Sequence, residues 1–436
     1  MKRTDNQSKF DALRKEFSTF TFESQTVKRK KGSLSLAFDF NLDDRYHFRP
    51  TLEIPARPFF EWDGIPEEQL QALAFQIGMT ELVSYWKIAC PKKVVVKPFA
   101  LMESQKAFWK KLYYNGLGEF LYLNGISVSE AELMQVESVG NQEFVKFELS
   151  LLEKTLVPIG GGKDSVVTLE CLRNEMPVIP LIVNPRGATL NCVKTAGYKD
   201  NEFIVINRTL DPTMLKLNAE GYLNGHTPFS ALLAFISILV AFGSRSRYIA
   251  LSNESSANES TVPGTNINHQ YSKSVEFESD FRNYVAENLS EEVQYFSFLR
   301  PLNELQIAKL FSQCEAYHSV FRSCNVGSKT DSWCGHCPKC LFTWIILSPF
   351  LSKEKLVAIF GKDLMADESL RPILEELNGT AAVKPFECVG TVEEVQACLE
   401  AVKGNRQIVD GILRRFNTHH FLPEKFEQIL KSRLYV

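Results

Sequence analysis

Thr155-Leu-Val-Pro-Ile-Gly-Gly-Gly-Lys-Asp-Ser165 is the stretch that decides the fold of this 436-residue chain. An apolar run of strand length enters three glycines, and Lys163, Asp164 and Ser165 then open a helical pattern. Strand, tight loop and helix start, in that order, make an anion cradle. Glycine lets the backbone approach a ligand and adopt positive φ. The amides of Gly160, Gly161 and Gly162 then join the free N–H groups of the first helical turn in pointing at one place. Lys163 adds positive charge and Ser165 a hydroxyl donor, while Asp164 either holds a divalent cation or caps the helix. The Walker spacing differs from this one, and the dinucleotide fingerprint G-x-G-x-x-G is absent. The bland alternative is a glycine-rich turn with no ligand.

Around the loop, strand-length apolar runs alternate with helical patterns. Strands are predicted at 155–159, 178–183, 203–207 and 248–251, and helices at 164–174, 228–242 and 275–288. That alternation predicts an α/β domain over residues 148–350, with a mainly parallel sheet and the ligand at the carboxyl ends of its strands. Residues 1–147 read as a separate α+β domain, a candidate for substrate recognition, with strands at 19–22, 34–40 and 93–96 and helices at 66–86 and 107–122. Residues 351–436 read as mainly helical, with a loop at 383–390.

Forty-nine Lys and Arg stand against 52 Asp and Glu, for a net charge of −3. A nucleic-acid binder carries a basic excess, so the balance argues against that class of partner. No apolar run reaches the roughly 18–20 residues of a membrane helix. The polar N-terminus has no secretory pattern, so the cytoplasm is the expected location. Four of the ten cysteines cluster: Cys334, Cys337 and Cys340 at doubled C-x-x-C spacing, with Cys324 ten residues upstream. Four thiolates so spaced predict a closed, structural Zn²⁺ site, with His336 left over. An iron–sulfur cluster and a redox pair are the alternatives.

The loop resembles the pyrophosphatase-loop (PP-loop) signature, Ser/Gly-Gly-Gly-x-Asp-Ser, of the N-type ATP pyrophosphatases. Other segments narrow the resemblance: Tyr114-Asn-Gly-Leu-Gly-Glu-Phe120, Asn224-Gly-His226, Pro263-Gly-Thr265 with Asn268-His-Gln270 and Ser272-Lys273, Trp333-Cys-Gly-His-Cys-Pro-Lys-Cys340, and Lys384-Pro-Phe-Glu-Cys-Val-Gly390. In this order, from about Phe48 to Gly390, they resemble the ATP-dependent UDP-N-acetyl-α-D-muramoyl-L-alanyl-L-glutamate epimerases, the MurL type. The resemblance implies a PP-loop α/β fold, UDP-MurNAc-L-Ala-L-Glu as substrate, ATP cleaved to AMP and pyrophosphate with Mg²⁺, and terminal L-glutamate inverted to D-glutamate in peptidoglycan synthesis.

The chemistry is coherent. A carboxylate makes its α-proton very hard to remove, because a dianion results. Adenylation cancels that charge, and a base then takes the proton. Candidate nucleotide contacts are residues 160–165 with Asn253, Glu254 and Lys273. Asp164 serves activation, and candidates for the inversion are His226, His269, Cys388 and Glu387. Arg300 is a further candidate for binding a phosphate or the glutamate. For each of these, packing or surface solvation is the plain alternative. Two rivals stand beside this reading: a ligase related to 7-cyano-7-deazaguanine synthase, whose zinc site is similar, and a non-catalytic nucleotide-binding scaffold.

Overall fold

The computed structural model describes residues 3–31, 33–55, 59–60, 62–148 and 150–434. Among them are strands β1 (Thr19–Lys30), β2 (Ser33–Leu42), β3 (Tyr46–Phe48), β4 (Thr51–Pro55), β5 (Lys93–Val96), β6 (Gln135–Ser138), β7 (Leu152–Pro158), β8 (Val178–Val183), β9 (Ile204–Thr209), β10 (Ser246–Leu251) and β11 (Gln294–Ser297). The helices that matter below are α1 (Glu67–Trp86), α2 (Lys163–Leu172), α3 (Phe229–Ser244), α4 (Glu304–Ser312) and α5 (Pro338–Leu347). No helix is long and apolar enough to cross a membrane among the described residues.

The chain divides into two compact units, each assembled from separate stretches. The first takes Met1–Leu152, Val205–Arg247 and Glu276–Gln294. Its sheet runs β9-β4-β2-β1-β5-β6, with β3 beside β2. The β1/β2 pairing is antiparallel and sets Phe20 opposite Leu42 and Phe22 opposite Phe40. All four side chains are buried on one face, as the period of two demands. α1 packs on that face, and the rings of Phe22 and Phe75 stack 5.5 Å apart. α3 is apolar all round and packs against α1. Each fully buried Leu, Ile or Phe there contributes about 1.5–3 kcal/mol, so the pair anchors the unit.

Three features depart from the sequence reading. The 203–207 strand, read as part of a mainly parallel sheet, also has an antiparallel edge: β9 pairs with β4 through Thr51–Thr209 and Glu53–Asn207. α3 lies in the first unit, since an all-apolar helix goes where a second apolar face receives it. The 107–122 helix is two, Glu103–Gly116 and Gly118–Leu123, divided at Leu117 between two glycines.

The second unit takes Glu153–Ile204, Tyr248–Val275 and Tyr295–Val436. Its strands run β11-β10-β7-β8, with β7 and β8 parallel in the register Thr155–Val178 to Pro158–Leu181. α2 leaves the carboxyl end of β7, and α4 packs against α2. That packing brings the start of α4 to the glycine loop.

Candidate active site

The loop 159–162 carries β7 into α2 as the sequence reading expects. Gly161 has φ +79°, and an added Cβ would lie 2.9 Å from the Thr189 nitrogen. Both the backbone angle and the space therefore demand glycine. Its carbonyl accepts from the Arg322 amide at 2.8 Å, which ties the loop to the segment before the cysteine cluster. Gly162 is the N-cap of α2, and its carbonyl accepts from the Ser165 hydroxyl at 3.0 Å.

Lys163 is buried, with its ammonium paired to both Asp164 and Glu304. Glu304 opens α4. Its position is set by the capping box in which the Asn303 side chain accepts from Gln306 N at 2.9 Å and the Gln306 side chain accepts from Asn303 N at 3.0 Å. Glu254 follows β10, with its carboxylate taking the Ser256 hydroxyl at 3.1 Å. One oxygen from each of Asp164, Glu254 and Glu304 lies within 4.8 Å of the others. Three carboxylates so close repel one another. Burial pushes the Glu304 carboxyl well above its ordinary range; Lys163 counters this, while Asp164, Glu254 and Glu394 add to it. Burial also opposes the charge on Lys163, but Asp164 and Glu304 outweigh it and hold the ammonium above its ordinary value. One lysine does not balance this many acids. An all-oxygen donor set with excess negative charge fits a hard divalent cation such as Mg²⁺.

A second cluster in the same unit joins residues far apart in the chain. The Lys273 ammonium donates to the Cys388 sulfur at 3.1 Å. Burial would raise the Cys388 thiol, but Lys273, Lys339 and a hydrogen bond with His269 outweigh it and hold the thiol well below its ordinary value. Lys273 is correspondingly raised: burial opposes its charge, and Cys388 and Glu254 more than restore it. The cluster thus sets a cysteine sulfur against an ammonium with an imidazole beside it, an arrangement that favours the thiolate. His269 is placed by an Asn268 turn, in which Asn268 Oδ1 accepts from the Gln270 amide at 2.7 Å and the Thr261 hydroxyl accepts from His269 N at 3.0 Å. The 384–390 segment is held by Lys384, which pairs with Glu259 and donates to the Gly390 carbonyl at 2.9 Å. A Cβ at Gly390 would meet Glu394, Phe342 and Glu304 at 2.8–3.0 Å, so this glycine makes room for the carboxylate cluster.

The remaining candidates are placed as follows. Glu387 accepts from Asn325 Nδ2 at 2.9 Å, and Asn253 donates to the Ser297 hydroxyl at 3.0 Å. Arg300, expected on a phosphate or the glutamate, is fully buried with its guanidinium on backbone carbonyls. His226 lies in the first unit, where its Nδ1 is 3.5 Å from the buried Glu119 carboxylate. Its turn is locked by Lys87, which donates to the Gly225 carbonyl, and by Asn124, which donates to Asn224 O at 3.1 Å. The sequence reading missed Glu304, Glu119 and Glu394. Glu119 sits inside a quoted segment, but no local pattern marks Glu304 or Glu394.

Cys324, Cys334, Cys337 and Cys340 converge at the start of α5, with sulfur separations of 3.6, 3.6 and 3.5 Å for the pairs 324–337, 334–340 and 337–340. A tetrahedral Zn–S length of about 2.3 Å implies sulfur–sulfur edges of about 3.8 Å, close to these values. The Gly327 amide donates to the Cys324 sulfur at 3.1 Å, as a thiolate would require. His336 points its Nδ1 at the Cys334 carbonyl at 2.8 Å and is exposed, so the donor set is four sulfurs.

Comparison with known proteins agrees with these features. The MurL N-terminal domain family matches residues 11–298, and the MurL C-terminal domain family matches residues 317–421. A Micromonospora protein named UDP-N-acetyl-alpha-D-muramoyl-L-alanyl-L-glutamate epimerase is 35% identical over 413 residues, 91% of this chain and 89% of that one. Proteins of the same name from Xanthomonas oryzae pv. oryzae and Salinispora tropica are 32% and 34% identical, over 92% and 87% of this chain and 89% and 84% of their own.

Proposed function

We propose a mechanism that proceeds from one premise: the chain belongs to the MurL family of UDP-N-acetyl-α-D-muramoyl-L-alanyl-L-glutamate epimerases. It is an isomerase of peptidoglycan biosynthesis, acting on a UDP-muramoyl dipeptide. The substrate is UDP-MurNAc-L-Ala-L-Glu, and its terminal glutamate is inverted. Acting on a precursor of peptidoglycan before export, the enzyme is placed in the cytoplasm.

The loop 160–165 takes the phosphates of ATP on its amides and on the N-terminus of α2. Asp164, Glu254 and Glu304 would hold Mg²⁺, which when bound neutralises phosphate charge. Lys163, fixed between two carboxylates, keeps the loop and α4 in register, and Asn253, just past β10, and Lys273, in the loop beyond it, are further nucleotide contacts. The substrate carboxylate attacks the α-phosphorus and pyrophosphate leaves. In the acyl-adenylate the α-proton is far more acidic than beside a free carboxylate. The Cys388 thiolate removes it, with Lys273 and His269 holding the negative charge on sulfur beforehand and sharing the proton afterwards. A proton returned to the opposite face of the α-carbon completes the inversion, and Glu387 and, in the first unit, His226 with Glu119 at Nδ1 are the further acid/base candidates. Water then releases AMP and the D-product. Cys324, Cys334, Cys337 and Cys340 would hold a structural Zn²⁺ and leave it no role in the chemistry.

The observation that carries this reading is the Cys388 thiol against the Lys273 amine, in the same unit as the glycine loop and the carboxylate cluster. The test is direct. Purified protein with ATP, Mg²⁺ and UDP-MurNAc-L-Ala-L-Glu is expected to release pyrophosphate and to yield D-glutamate after acid hydrolysis. Pyrophosphate without D-glutamate would favour a ligase instead, and neither product a nucleotide-binding scaffold. Asp164→Ala is expected to abolish AMP formation, and undiminished AMP from that variant sinks the loop assignment.

A further inference from the structure

Arg300 lies in the turn after β11 with no solvent exposure. A buried guanidinium is costly unless its donors are used. One arm donates to the Glu254 carbonyl at 2.6 Å. The other donates to the Lys273 carbonyl and, at 3.2 Å, to the Ser297 hydroxyl. Glu254 and Lys273 are the two ends of a polar loop that also carries His269. One end supplies a carboxylate to the cation cluster, and the other supplies the ammonium that faces the Cys388 sulfur.

We infer that Arg300 is a positioning residue that closes the stem of the 254–273 loop and so sets the cation site and the Lys273–Cys388 contact with one group. The planar fork suits this role because it reaches two carbonyls at once in fixed geometry, where a lysine ammonium is a point donor on a flexible stem. Chain entropy opposes closing a loop of this length; bonds such as Asn268 to the Ala257 carbonyl and Val275 N to Asn258 hold its interior, and the guanidinium bridges its two ends. The inference rests on the proposed roles of Glu254 and Lys273.

The test is Arg300→Lys in the full chain, with two readouts. The first is the Mg²⁺ concentration that half-saturates ATP–pyrophosphate exchange in the presence of the dipeptide substrate. The second is the rate of Cys388 alkylation by iodoacetamide at neutral pH, followed by mass spectrometry. Loss of one charge-assisted bond should raise the Mg²⁺ requirement and slow alkylation, each about tenfold. Movement of both supports the shared stem, and movement of one alone, or of neither, overturns it. Glu254→Gln and Lys273→Met serve as references, expected to move chiefly the Mg²⁺ and the alkylation readout respectively. If a reference leaves its own readout unchanged, the role assigned to that residue fails; if both references behave and Arg300→Lys does not, only the stem proposal fails. Should Arg300→Lys not fold, Ser297→Ala removes one acceptor of the same arm; because Ser297 also accepts from Asn253, it is held to the same criterion only for shifts in both readouts beyond those of Asn253→Ala.

Discussion

Cys388→Ser is expected to lower D-glutamate formation by about 10²–10⁴-fold, the usual contribution of a positioned acid/base group, while ATP–pyrophosphate exchange stays near the unaltered rate. The separation follows from geometry, since the sulfur faces Lys273 and His269 and the adenylating loop has its own donors and carboxylates. A serine hydroxyl keeps the size of the thiol but holds its proton throughout the physiological range. The pH behaviour provides a second check. A thiol held well below its ordinary value carries a larger thiolate fraction at pH 7 than a free cysteine of pKa about 8.5, which is mostly protonated there. Alkylation of Cys388 should therefore persist at pH 7 and fade only as the pH falls through the lowered value. The same shift stabilises the fold above the unfolded thiol's pKa, and that stabilisation is lost as the pH falls through the folded one. If Cys388→Ser inverts glutamate at the unaltered rate, the thiolate is not the base.

The second large effect belongs to the cysteine centre. One zinc per chain is expected, and Cys340→Ser should release it, with a stability loss above about 4 kcal/mol, as for other structural metals. Cys340 is fully buried in the first turn of α5, and Cys337 is that helix's N-cap. Without the metal, thiols packed at 3.5–3.6 Å lose the bonds that justify their crowding. Metal analysis and thermal melting read the outcome, with His336→Ala as the control that should keep both. Iron in place of zinc, or a metal-free chain that melts at the same temperature, would overturn the assignment.

The parts of this molecule written locally in the chain were legible before any coordinates. β8, β5 and the helix Val275–Asn288 fall where the apolar periods put them, and the loop was marked by three glycines before a helix start. The four cysteines were legible because metal-ligand spacing is itself a local code. The acid cluster was half legible. Glu254 stands just after a strand, where ligands gather, but Glu304 opens an ordinary amphipathic helix, and only the packing of α4 on α2 gives it a role. Arg300 was misread because a sequence shows the charge and not the carbonyls that take it. The Lys273–Cys388 contact spans 115 residues, a distance at which periodicity carries no information. The antiparallel edge of β9 was not legible for the same reason: its neighbour β4 lies in a distant part of the chain.

The interleaving of the two units bears on how the chain is made. The first unit is not complete until Gln294 of 436 residues, because its last stretch is Glu276–Gln294. At roughly 5–20 residues per second, synthesis of that length takes about 15–60 seconds, during which neither unit has all of its parts. α3, apolar on every side, emerges within this interval and must wait alongside α1. Newly made chain is therefore exposed to aggregation for longer than that of a protein whose domains follow one another, and holdase chaperones have a long window in which to act. The same weaving means that no single cut separates the two units from each other.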